Sequence, residues 1–188
     1  MTSFTIHNSD SAPEDSKPFL DKAQAKFGMV PNLIGLLAEA PAAVEAYQTL
    51  GGLFGKTSFS PTERNLIWLT INYENDCTYC MAAHTAIAKT ENVDAEVISA
   101  LRNNTPLADA RLEALRTFTS AIVTSRGWVG GPALEAFLGA GYSKQNVFEV
   151  LVGVSHKVFS NYANHIAETP LDAPFEKFAW QKSVVSEA

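Results

Sequence analysis

Apolar residues recur along this chain every three or four positions, and the strict alternation of a half-buried strand is hard to find. β-branched residues follow the helical spacing as well. The pattern predicts a first helix over Ser11 to Phe27, with Pro13 near its start and Gly28 just after it. Pro31 to Ala40 and Pro41 to Gly55 follow, each opened by a proline, which suits a first helical turn. Ser60-Pro61-Thr62-Glu63 reads as a capping box. The helix it opens carries Leu66, Ile67, Leu69, Thr70 and Ile71 and fails at 72–76. Asp76 then reads as the N-cap of a helix from Cys77 to about Lys89. Val93 to Arg102 is a short helix capped by Asp94, and Leu107 to Arg126 a long one. Pro132 to Leu138 is short, and Ser143 to about Ala167 is the longest. Pro170 and Pro174 mark a C-terminal tail. The reading is one all-α domain over 1–188, with no repeat and no linker.

Composition narrows the classes. Hydrophobic residues make up 46% and charged residues 18%, which favours a packed core over disorder. So low a charge leaves much surface uncharged and points to subunit burial. The net charge of -6, without a basic cluster, argues against nucleic acid. No apolar run approaches the ~20 residues of a membrane span, so no membrane association is expected. The opening Met1-Thr2-Ser3-Phe4-Thr5-Ile6-His7 lacks a basic, then apolar, leader pattern. A cytoplasmic, reducing compartment is the expectation, where a structural disulfide is unusual and a cycling one is not.

Both cysteines and one of four histidines fall in Cys77-Thr78-Tyr79-Cys80-Met81-Ala82-Ala83-His84. On a helix these three side chains occupy an arc of roughly 60°. A thiol at the helix start meets free N–H groups that favour thiolate, so Cys77 is expected to have a lowered pKa. His84 is about 6 Å along the axis from Cys80, within reach as its base or imidazolium partner. Cysteines three apart suit a reversible, strained disulfide. Two other readings compete. A zinc site needs four ligands, and His7, His156 and His165 lie far off in sequence, so no metal is expected. The cysteines could also be small core residues. His156 and His165, nine apart, face opposite sides of the last helix, so one at least is structural. The polar Asn161, Tyr162 and Asn164 read as a cap region or subunit contact, and Trp68, Trp128 and Trp180 as core or interface.

The stretch from Ser60 to His84, Ser-Pro-Thr-Glu-Arg-Asn-Leu through Cys-Thr-Tyr-Cys-Met-Ala-Ala-His, resembles the core of the alkylhydroperoxidase D (AhpD)-like proteins. These form a peroxidase-related branch of the carboxymuconolactone decarboxylase superfamily. Softer matches run from Phe27 to Leu33, through Arg126-Gly127 and Gly141 to Ser143, and over Asn161 to His165, with the core motif at 60–89. The resemblance implies an AhpD-like helical bundle, obligately homo-oligomeric as dimer, trimer or hexamer. It implies a dithiol peroxidase reducing alkyl or hydrogen peroxides. Cys80 attacks, Cys77 resolves to a disulfide, and His84 belongs to the proton relay. No bound cofactor is implied; an external dithiol, such as a lipoyl group on a reductant protein, restores the pair.

Two positions depart from that pattern. The AhpD relay has a glutamate twelve residues before the first cysteine, and here stands Asn65. Asparagine cannot exchange a proton as a carboxylate does, so Asn65→Glu is expected to raise activity. Glu63 and Glu74 are the accessory carboxylate candidates: Glu63, about 200° round the helix from that position, would substitute only with a backbone shift and is read first as the capping box, and Glu74, three residues before Cys77, is read first as a solvated turn residue. AhpD has a histidine between its cysteines, and here stands Tyr79, whose hydroxyl would bond near the thiols or whose ring would pack. Two rival functions remain: a lyase on a small lactone acid, and a non-catalytic thiol redox sensor. The lyase would need no cysteines, and the sequence offers no evident Lys/Arg cluster for its carboxylate substrate.

Overall fold

The computed structural model describes residues 4–182. Met1 to Ser3 of the stretch read as lacking a leader, and 183–188, lie outside the described residues. Among the described residues nine α-helices run in order: α1 (Lys17–Phe27), α2 (Asn32–Leu37), α3 (Pro41–Phe54), α4 (Pro61–Glu74), α5 (Thr78–Thr90), α6 (Ala95–Asn103), α7 (Ala110–Thr124), α8 (Gly131–Gly139) and α9 (Lys144–Ala167). There is no strand among the described residues. The all-α expectation holds.

Several boundaries move for physical reasons. The first helix begins at Lys17, preceded by a 3₁₀ turn at Glu14–Ser16, not at Ser11. A helix running from 11 would put Pro18 in its interior, where the ring clashes and a hydrogen bond is lost. Starting at Lys17 leaves Pro18 in the first turn. Asp76 does not cap α5. It adopts a left-handed backbone (φ 52°) in the turn after α4, and Cys77 takes the N-cap position. The C-terminal tail contains a 3₁₀ segment, Ala173–Phe178.

The capping box forms as read: Glu63 N–H donates to Ser60 Oγ (3.3 Å) and Ser60 N–H to Glu63 Oε2 (2.8 Å). Around α4, α6, α7 and α8 packs the larger core, with Phe137 stacked between Phe118 (4.2 Å) and Tyr142 (4.5 Å). Each such buried side chain stabilises the fold by about 1.5–3 kcal/mol relative to exposure. A smaller core joins α1, α2 and α3 to Cys77, Tyr79 and Cys80. Gly153 seats α9 against the larger core: a Cβ there would meet Phe54 at 2.8 Å and Ile67 at 2.9 Å. That close approach brings the next turn of α9, beginning at Lys157, under the cysteines. Trp68 and Trp180 pack against the larger core, whereas Trp128 is 89% exposed and belongs to neither core.

Candidate active site

The site forms where the start of α5 meets the inner face of α9. Cys77 N–H donates to Asn72 O (3.0 Å), and Met81 N–H to Cys77 O (2.9 Å), which fixes the helix start. Both cysteines are reduced and 1% exposed. From α9, Asn164 Nδ2 donates to Cys80 Sγ (3.2 Å) and lies 4.0 Å from Cys77 Sγ, and Ser160 Oγ stands 3.7 Å from Cys80 Sγ. A ladder of amides holds the loop: Asn75 Nδ2 donates to Asn161 Oδ1 (2.9 Å), Asn161 Nδ2 to Asn72 Oδ1 (3.0 Å), and Asn72 Nδ2 to Cys80 O (3.1 Å). Asn161 and Asn164 are buried parts of the thiol site, a correction to the cap or subunit-contact reading.

The thiols differ sharply. The hydrogen bond to Cys80, burial and the charge beside it push the Cys77 thiol up. Burial also pushes Cys80 up, but the Cys77 thiol, the Lys157 ammonium and Ser160 outweigh it and hold Cys80 well below the ordinary thiol value. The lowered pKa thus belongs to Cys80 and not to Cys77, where a position at the helix start predicts it. As N-cap, Cys77 stands one step before the first turn, and Cys80 receives the donors of α9 instead.

His84 is buried in the same site, but its hydrogen bond goes to Lys157, whose Nζ donates to His84 Nε2 (2.9 Å). This corrects the expected direct His84–Cys80 pairing. Burial, then the Lys157 charge and His156, hold His84 far below the usual histidine range and favour the neutral ring, whose Nδ1 is buried without a partner among the described residues. Lys157 is fully buried and follows no motif residue. His156 faces inward, 5% exposed, and is kept neutral mainly by burial; His165 faces outward.

The accessory candidates separate. Tyr79 donates from its hydroxyl to Asp172 Oδ2 (2.5 Å) and accepts from Leu33 N–H (3.3 Å), so it ties α5 to α2 and the C-terminal segment. Asn65 Nδ2 donates to Pro61 O (2.9 Å) and to Glu91 Oε2 (2.6 Å), and makes no bond to His84 or the cysteines. Glu63 also accepts from Arg111 Nη1 (2.6 Å) and Tyr142 Oη (3.0 Å), and is structural. Glu74 accepts from Ser120 Oγ (2.5 Å), away from the thiols and only partly exposed.

A cavity of about 760 Å³ opens on Cys80 and does not reach Cys77. Leu33, Ile34, Tyr47, Trp68 and Phe175 give it an apolar wall, and His84, His156 and Lys157 its polar patch. Lys22 and Lys26 of α1 line it too, so the fold gathers three lysines that the sequence scatters. This corrects the absence of a basic cluster. Among the described residues no three His, Cys, Asp or Glu side chains converge to hold a metal, and no helix is long and apolar enough to cross a membrane. The missed residues, Lys157, Ser160, Asn161 and Asn164, share a signal: polar groups three and four apart within an apolar helix, one stripe of α9.

Residues 39–121 match the carboxymuconolactone decarboxylase family. No curated protein sequence matches the chain. An uncharacterised peroxidase-related protein from Ralstonia eutropha JMP134, with an alkylhydroperoxidase AhpD core, has a similar structure: TM-score 0.81 at 20% identity, over 92% of this chain and 93% of that one. A peroxidase-related protein from Silicibacter sp. TM1040 gives 0.78 at 19% identity, over 93% and 92%. A cysteine-to-alanine variant of the debrominase Bmp8, in complex with 2,3,4-tribromopyrrole, gives 0.79 at 20%, over 95% and 96%. At these identities the likeness establishes the fold.

Proposed function

We propose that this chain, an AhpD-like member of the carboxymuconolactone decarboxylase superfamily, is a dithiol oxidoreductase that reduces alkyl or hydrogen peroxides at Cys80. One observation carries the reading: of two adjacent thiols, the one whose environment favours thiolate is also the one on the cavity wall.

The Cys80 thiolate attacks the terminal peroxide oxygen, the O–O bond breaks, and Cys80 becomes a sulfenic acid. The departing alkoxide takes a proton through the Lys157–His84 pair and leaves as alcohol. Cys77 then yields its proton to that pair and attacks the Cys80 sulfur. The Cys77–Cys80 disulfide forms and hydroxide leaves as water, taking the proton back. Two electrons have passed from the dithiol to the peroxide. An external dithiol, such as a lipoyl group on a reductant protein, returns two electrons and two protons, restoring the Cys77 thiol and the Lys157 ammonium. Asn164 holds the Cys80 sulfur for attack. The relay runs from Lys157 to His84 with no carboxylate at position 65.

The debrominase neighbour favours a second reading of the same pair. A haloaromatic in the cavity would exchange halogen for hydrogen, release halide, and leave the same disulfide. A lyase would use the cavity without the thiols, and a sensor would oxidise without turnover. Homo-oligomerisation is supported by the outer face of α9, which leaves Phe148, Tyr162 and Ile166 more than half exposed. A cytoplasmic location agrees with a pair that must be re-reduced. The test is peroxide consumption with dihydrolipoamide by wild type and Cys80→Ser. Turnover lost in the variant supports the reading. Equal turnover overturns it, halide release points to the second reading, and one oxidation without turnover points to the sensor.

A further inference from the structure

We infer that the cavity takes an amphipathic ligand, with an aromatic or aliphatic body against its apolar wall and a carboxylate head between Lys22 and Lys26 at its mouth. The chain carries 20 acidic and 14 basic residues, so an average surface patch is acidic. The cavity inverts that balance. Its charged lining is Lys22, Lys26 and Lys157 against one carboxylate, Glu91, which already accepts from Asn65 Nδ2 at 2.6 Å.

The three lysines do different work. Lys157 sits on the floor, fully buried, with His84 as its partner. Lys22 and Lys26 stand one turn apart on the same face of α1, exposed, and make no ion pair among the described residues. Lys26 Nζ lies 5.0 Å over the ring of Phe27, another lining residue, which holds the ammonium near the rim.

A second observation points inward from them. His156 is 95% shielded, lines the cavity, and makes no side-chain hydrogen bond among the described residues; its Nδ1 is unpartnered. Trp68 Nε1 and Gln48 Oε1, on residues that line the same cavity, are buried without a partner as well. Buried polar groups are ordinarily satisfied, so these atoms together on one cavity mark a place where a ligand's polar atoms complete the bonding. A volume of about 760 Å³ is that of a small-molecule site. A purely apolar peroxide would leave these groups unpaired. An acid-bearing one would pair the lysines at the rim while its body carries the reactive group toward Cys80. The identity of the reacting group rests on the proposed chemistry; the charge of the head does not.

Binding is therefore measured with ligands that no thiol can reduce: phenylbutyrate and its isosteric amide, phenylbutyramide, by calorimetry on the reduced full chain. Wild type is expected to bind the carboxylate about tenfold tighter at low salt, as two uncompensated rim charges warrant. Raising the salt should shrink that preference. Lys22→Gln/Lys26→Gln, exposed substitutions that leave both cores intact, should bring the two ligands within about twofold. Bound phenylbutyrate should also slow alkylation of Cys80, which places it in this cavity. Equal affinity for the two ligands in wild type, a preference that survives in the double variant, or no protection of Cys80 would overturn the inference. Each outcome is read without peroxide turnover, so failure of the peroxidase reading leaves this result standing, and the reverse.

Discussion

Replacing Lys157 by methionine tests what lowers the Cys80 thiol. The substitution keeps the length of a fully buried side chain and deletes its charge. Two things are lost: the cation whose field favours the Cys80 thiolate, and the donor to His84 Nε2. At an effective dielectric near 20, a unit charge about 4–8 Å away is worth roughly 2–4 kcal/mol. That corresponds to about 1.5–3 pH units. Asn164 and Ser160 remain, and a Cys77→Ser background shared by the compared proteins leaves a hydroxyl in place of the Cys77 thiol in each, so removing Lys157 should move Cys80 up toward the free-thiol value near 8.5. The assay is the pH dependence of Cys80 alkylation in a Cys77→Ser background, read beside ultraviolet thiolate absorbance. Lys157→Arg, which keeps the charge, should retain most of the shift. The fold should survive, since replacing a buried charge by a fitting apolar chain is often neutral or stabilising. A folded Lys157→Met protein with an unchanged alkylation profile would refute the reasoning and leave the amides and Ser160 as the cause.

Asn164→Ala removes the 3.2 Å donor to Cys80 Sγ. It should raise the Cys80 pKa by about one unit, worth roughly 1.5 kcal/mol for a hydrogen bond to a charged group, and slow alkylation near neutral pH; an unchanged rate would count against it. Asn65→Glu should not raise activity, contrary to the sequence expectation. It sets a second carboxylate against Glu91 at hydrogen-bonding distance, so a lower Tm is the expected outcome and a higher turnover the contrary one. Stability should fall in acid. His84 and His156 have folded pKa values well below the unfolded value near 6.5, so below that pH the unfolded chain takes up protons that the folded chain refuses. The slope should reach about 2.7 kcal/mol per pH unit for two such groups. Replacing His156 by Asn should roughly halve it in thermal melts across pH, and an unaltered slope would exclude that histidine.

Local rules carried the parts of this molecule that local rules govern. Ser60 and Glu63 form their capping box because both partners lie within one turn, and the helical spacing of Leu66, Ile67 and Ile71 needed no tertiary information. Pro18 shows where a local signal was overlooked: its missing N–H set the start of α1. The thiol pair was legible as a motif, but its asymmetry was not. That asymmetry comes from Lys157 and Asn164, each at least eighty residues from Cys77, brought beneath it by the close approach at Gly153. The same long-range packing redirected His84 from Cys80 to Lys157. It also gathered Lys22, Lys26 and Lys157 from the two ends of the chain onto one cavity.

The central claim is that Cys80 meets the substrate and Cys77 follows. The most direct measurement is a single exposure of Cys77→Ser to peroxide with a sulfenic-acid trap present, located by peptide mass spectrometry. The account predicts the trapped adduct on Cys80, and in wild type a Cys77–Cys80 disulfide in its place. No adduct on Cys80, or an equally fast adduct on Cys77 in the Cys80→Ser protein, would contradict it.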